Sequence, residues 1–147
     1  MNRVWIRAVG AALALVGLVF AVVFKQNVHF DMNPQVWFSP AYYLQFIPLY
    51  MAVTLLLSGV LVAVRFKGVN FYLAVFGHAS SEEILFSLLG WTTSPLPGYA
   101  IFLFFPLSLL ALLVAYTNVL KARRVSLIEA IFGVVFSTAF ILMPRFM

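Results

Sequence analysis

A chain of 147 residues that is 65% hydrophobic and only 9% charged cannot cover its own surface in water, since soluble domains carry about 25% charged residues. Its net charge of +5 lies beside apolar runs and not on an aromatic-interleaved basic surface. That pattern excludes nucleic-acid binding and reads as orientation and lipid contact at membrane borders. The absence of cysteine excludes disulfides, thiol redox chemistry, iron–sulfur clusters and c-type haem attachment.

The first apolar run, 8–24, follows Arg3, Trp5 and Arg7 and ends in Val22-Val23-Phe24-Lys25. It is longer than the core of a cleaved leader and lacks a small-x-small cleavage pattern, so a signal anchor serving as the first transmembrane helix is expected. Gly10, Ala14, Gly17 and Ala21 recur at helical spacing and form a face that another helix can approach closely. Gly59 and Ala63 offer a second such pair. A polar loop, 25–39, carries His29, Asp31 and Pro34. Ser39-Pro40 is a capping Ser before a first-turn Pro. It opens a helix over 40–64 that is expected to kink at Pro48 and to close at Arg65 and Lys67.

The next stretch, 69–91, reads VNFYLAVFGHASSEEILFSLLGW, apolar at its ends and polar in its middle. As a helix it rises about 34 Å, enough to cross a bilayer. Glu82 and Glu83 near its centre nevertheless cost a few kcal/mol each in hydrocarbon. A turn with Pro95 and Pro97 leads to a helix over 99–120 containing Pro106, then to Lys121, Arg123 and Arg124. The last helix, 126–143, starts with Ser126-x-x-Glu129, a capping box that accounts for Glu129 structurally.

Two observations bear on whether 69–91 crosses. If it does, one side holds Arg3, Arg7, Arg65, Lys67, Lys121, Arg123 and Arg124, against Lys25 and Arg145 on the other. If it does not, the split is nearly even, which the positive-inside rule disfavours. The second observation is a possible repeat between 39–91 and 94–147. Each segment starts Ser-Pro, has a proline in the following helix (Pro48, Pro106) and passes a basic turn. Each then reads Val-(Asn/Ser)-three residues-Ala-(Val/Ile)-Phe-Gly, at 69–77 and 125–133. Residues 69–91 then correspond to 125–147, and the helix pairs are parallel repeats. The expected fold is an all-α integral membrane protein, one transmembrane domain (1–147) of five helices with a cytoplasmic N-terminus. The alternative is four transmembrane helices plus an interfacial amphipathic helix at 81–91, started by Ser80-x-x-Glu83.

The sharpest candidates for chemistry are His78, Ser80, Ser81, Glu82 and Glu83. Carboxylates with a histidine inside a membrane are proton-relay, cation-site or partner-contact groups. His78 and Glu82, four apart, share a helix face. Gly77 and the serines offer a place for the helix to break, as in discontinuous transporter helices. Haem or chlorin on a single axial His78 is a weaker option, since His29 falls in the outer loop. A metal site is not expected, because adjacent glutamates point about 100° apart. No nucleophile–base arrangement and no glycine-rich phosphate loop is evident. Trp5, Trp37, Tyr42, Tyr43, Trp91 and Tyr99 fall at the expected borders, as an aromatic belt does.

Five helices with short loops leave little internal volume and no sizeable extramembrane domain. The primary expectation is therefore an accessory or structural subunit of a larger membrane complex, or a homo-oligomer, in a cell inner membrane, without catalytic activity of its own. Its partners are then membrane lipids and other membrane subunits. The alternatives are an ion- or proton-coupled transport component using the intramembrane carboxylates and a cofactor-binding membrane redox subunit.

Overall fold

A computed structural model describes residues 3–146; Met1, Asn2 and Met147, which the expected domain and repeat boundaries take in, lie outside them. The described residues form helices only: α1 Arg3–Lys25, α2 Pro34–Trp37, α3 Pro40–Leu44, α4 Phe46–Ala63, α5 Val69–Leu88, α6 Gly98–Thr117 and α7 Leu127–Leu142, continued by a 3-10 turn at Met143–Arg145. Four segments are long and apolar enough to span a membrane: Arg3–Lys25, Pro40–Ala63, Gly98–Thr117 and Leu127–Arg145. They mark a membrane-embedded protein. At 20 residues α5 has the length, about 30 Å, without the uniform apolarity.

Local chemistry moves several boundaries from their expected places. α1 is already helical at Arg3, the first described residue and five before the expected start, because a helix does not end where hydrocarbon does. The helix over 40–64 breaks at Gln45, where Pro48 has no N–H to give the Leu44 carbonyl. The freed Gln45 side chain clasps the His29 backbone in both directions, at 2.8 and 3.1 Å. α5 ends at Leu88, not 91: Gly90 is left-handed (φ +73°) and the Trp91 N–H returns 2.8 Å to the Phe86 carbonyl, a Schellman closure. α6 stops at Thr117, since Asn118 is left-handed. Residues 81–91 are not a separate interfacial helix. α5 runs unbroken through Gly77–Ser81, and Ser80 is fully buried in mid-helix, where it caps nothing. The expected break at Gly77 is absent too: α5 is continuous there, with the Ser81 hydroxyl bonding back to the Gly77 carbonyl at 2.6 Å. Ser126 and Glu129 make the capping box that starts α7.

α1 lies on α4 with the two backbones in contact. A Cβ added to Gly59 would stand 2.2 Å from the Ala14 nitrogen, one on Gly10 2.4 Å from the Ala63 nitrogen, and one on Gly17 2.4 Å from that of Leu56. Ala21 packs on the same core. The centre is α5, which touches α4, α6 and α7. Phe104 of α6 joins three helices, its ring centroid 6.1 Å from Phe76 of α5 and 5.0 and 6.2 Å from Phe20 and Phe24 of α1. Tyr50 and Phe140 tie α4 to α7 at 4.7 Å.

The two ends of the bundle differ in charge. The Arg123 N–H donates to the Lys67 carbonyl at 2.8 Å, so loops 64–68 and 118–126 lie side by side. Fully buried Asn70 fastens them, its Nδ2 donating to Asn118 Oδ1 at 2.7 Å and to the Arg123 carbonyl at 3.0 Å. Ile6 lines one cavity with Arg65 and Lys121, which puts the start of α1 at this end as well. Seven of the nine Lys and Arg residues gather here. At the other end Arg145 Nη1 donates to the Trp91 carbonyl at 3.0 Å. α5 therefore runs from the basic end to the opposite end of the bundle, parallel to α7.

Candidate polar site on α5

The polar residues of α5 divide between two faces. On one, His78 Nδ1 lies 3.2 Å from Glu82 Oε1, the four-residue spacing stacking the two side chains. α6 brings the Tyr116 hydroxyl 2.8 Å from His78 Nε2. α7 brings Thr138, whose hydroxyl donates to Glu82 Oε2 at 2.8 Å. With Glu82 ionised, one tautomer satisfies every atom: Tyr116 O–H donates to Nε2, Nδ1–H donates to Glu82, and Thr138 donates to the second oxygen. Gly133 leaves room for the ring; a Cβ there would stand 3.7 Å from His78 Cδ2. The His78 and Glu82 side chains are mostly covered, whereas Tyr116 is 46% exposed. The chain of groups thus leads inward from the bundle's surface.

Glu83 points about 100° away from Glu82 and is 1% exposed. Its Oε1 has no hydrogen-bond partner among the described residues, and Ser94, in the loop after α5, faces the carboxyl. The buried hydroxyls of Ser80 and Ser137 are also without partners. An isolated buried carboxylate costs several kcal/mol, and Glu83 occupies such a position.

Of the five residues singled out in the sequence, His78 and Glu82 meet, Glu83 and Ser80 lie on a different face, and Ser81 is bonded to its own helix. Tyr116 and Thr138 escaped notice as single polar residues near a helix end or in an apolar run, and Ser94 reads only as part of the Ser-Pro that opens the second segment. The repeat carried a signal for one of them, since its offset of 56 positions sets Thr138 against Glu82. Among the described residues no three His, Cys, Asp or Glu side chains come together as metal ligands. Haem or chlorin fits His78 poorly, because both ring nitrogens are engaged and axial ligation through Nε2 would displace Tyr116. No protein-family model, curated protein or solved structure matches the chain.

Proposed function

We propose that this chain is a multi-pass membrane protein with five crossing helices, α5 included, and its basic end in the cytoplasm. We propose further that it conducts protons, or couples to them, through α5. The basic end fits the positive-inside rule, and a cell inner membrane is its location in this reading. One observation carries the functional reading: polar groups follow one another along the bundle. They lead from Tyr116 near the basic end, through His78 and Glu82, to Glu83 and Ser94 near the other. Ionisable residues in such a setting are expensive, and proton relays are their usual reason. In this reading a proton passes between Glu82, bonded to α6 and α7 through His78 and Thr138, and Glu83, which lies on another face of α5 toward Ser94.

The test is proton flux into proteoliposomes under a potassium diffusion potential, read by an internal pH dye. Glu83→Gln and Tyr116→Phe keep shape and remove the titrating group or the hydroxyl, and each is expected to lower flux at least about tenfold. Flux equal to that of the unaltered protein in both variants would defeat the proposal.

A second reading, an accessory subunit or homo-oligomer, has its own support. Tyr116 presents a hydrogen-bonded hydroxyl on a 46% exposed side chain, which a neighbouring subunit would cover. Extraction in mild detergent with mass spectrometry of co-purifying chains tests it: stoichiometric partners support it, and a lone monomer removes it.

A further inference from the structure

The basic end holds a cavity of about 430 Å³ whose lining includes Arg65, Lys67, Lys121 and Ile6 and no acidic residue. Next to it a cleft of about 350 Å³ opens between α1 and α6, lined among others by Leu13, Leu73, Phe76, Leu107, Leu110 and Val114. Every residue lining the cleft is apolar. Val62 and Leu120 line both spaces, so the two adjoin each other. The cleft exists because α1 and α6 meet at only one end. Phe20 packs on Phe104 and Tyr99 far from the basic loops, and the cleft lies on the basic side of that contact, between Val9 and Leu13 of α1 and Leu110 and Val114 of α6.

The backbone of the basic cavity is itself unusual. Arg65 and Lys121 both take left-handed conformations, with φ of 58° and 52°. Arg65 closes α4 as a Schellman motif, its N–H on the Val62 carbonyl at 3.0 Å and the Phe66 N–H on the Leu61 carbonyl at 2.9 Å. Glycine is the residue that suits this position, as Gly90 does at the end of α5. Long basic side chains thus occupy two positions where the backbone favours glycine, and both line the same cavity. Strain of this kind points to use. The only acidic side chain at this end, Glu129, is taken by Arg123, which leaves the three lining cations without an acidic partner among the described residues.

We propose that this is a binding site for one anionic phospholipid, its phosphate held by Arg65, Lys67 and Lys121 and an acyl chain lying in the cleft between α1 and α6. A basic pocket at a membrane border above an apolar slot matches that amphiphile in charge and in order of polarity. The two spaces together lie in the size range of ligand sites. A soluble anion would leave the apolar cleft unfilled, and a zwitterionic lipid would bring its own cation beside Arg65, Lys67 and Lys121.

The test is native mass spectrometry of the delipidated protein in detergent, titrated with dioleoylphosphatidylglycerol or dioleoylphosphatidylcholine. One phosphatidylglycerol is expected to bind at least about tenfold more tightly than phosphatidylcholine. The double variant R65G/K121G removes two charges while giving the backbone the residue it favours. It is expected to keep or raise the melting temperature and lose the preference. Leu110→Trp fills the cleft from a half-exposed position and is expected to weaken phosphatidylglycerol binding with all charges intact. Arg124→Gln, outside the cavity lining, is expected to change nothing. Preference surviving R65G/K121G, unchanged binding in L110W, or inorganic phosphate competing as well as the lipid would each overturn the proposal. If R65G/K121G does not fold, Lys67→Gln and L110W decide it by the same readout.

Discussion

Arg65 and Lys121 stand 56 positions apart and share one left-handed backbone conformation. Each is the first residue of a basic turn, and the helices that follow, α5 and α7, lie parallel. His78 faces Gly133, Glu82 is bonded to Thr138, and the Trp91 carbonyl meets Arg145, at separations of 54 to 56 positions. Apolar helical sequences match one another easily by chance, but a matched left-handed residue in each connecting turn is a separate observation. On that ground we propose that 39–91 and 94–147 are parallel repeats, with α1 added to the first. The polar site then lies where the two repeats face each other, as binding sites do in transporters built from repeats.

Gly59 and Gly133 make a matched pair for testing how tightly the helices are packed. Gly59→Leu drives a side chain into the backbone of α1 at Ala14, where no side chain can move aside. Forced overpacking costs about 1–3 kcal/mol, and here it is expected to part α1 from α4. Gly133→Ala meets nothing nearer than 3.7 Å. Removing a helical glycine there is expected to be neutral or to stabilise by up to about 1 kcal/mol. Thermal unfolding in detergent, followed by tryptophan fluorescence, separates the two. Equal melting temperatures would mean that α1 does not sit on α4 as described.

Asn70 is the joint between the two basic loops. Asn70→Ala removes both Nδ2 hydrogen bonds and leaves the Arg123 carbonyl and Asn118 Oδ1 without that donor. Losing a buried partner of this kind costs about 1–3 kcal/mol. Because the lost bonds join separate loops, hydrogen exchange is expected to rise in 64–68 and 118–126 together and to stay unchanged around Trp91. Faster exchange in only one loop would show that Asn70 does not couple them.

Much of this arrangement is legible in the sequence, and what is not has physical causes. Apolar run lengths locate the four long helices, and charge placement separates the two ends, because both depend on residue type and not on contacts. The four-residue spacing of His78 and Glu82 predicts their pairing for the same reason, since helix geometry fixes it. Ser80-x-x-Glu83 misleads because a capping box and a buried helix interior use the same letters, and only burial tells them apart. Tyr116, Thr138 and Ser94 are hidden because their roles come from other helices packing on α5. The cleft is hidden too, since it depends on the angle between α1 and α6.

Thr138→Val tests whether the relay depends on α7. The change keeps the branched shape and removes only the hydroxyl that donates to Glu82 Oε2. A hydrogen bond to a charged group is worth about 1.5–3 kcal/mol, part of which Glu82 can recover by reorienting toward His78. Melting temperature is therefore expected to fall modestly, and proton flux to fall with the pairing of His78 and Glu82 disturbed. Tyr116→Phe cuts the path at its other end and leaves Glu82 fully bonded. If Glu82 is a member of the relay, the double variant T138V/Y116F conducts no less than the weaker single variant, because a broken path cannot be broken twice. If Glu82 only anchors α7, T138V lowers stability and leaves flux untouched.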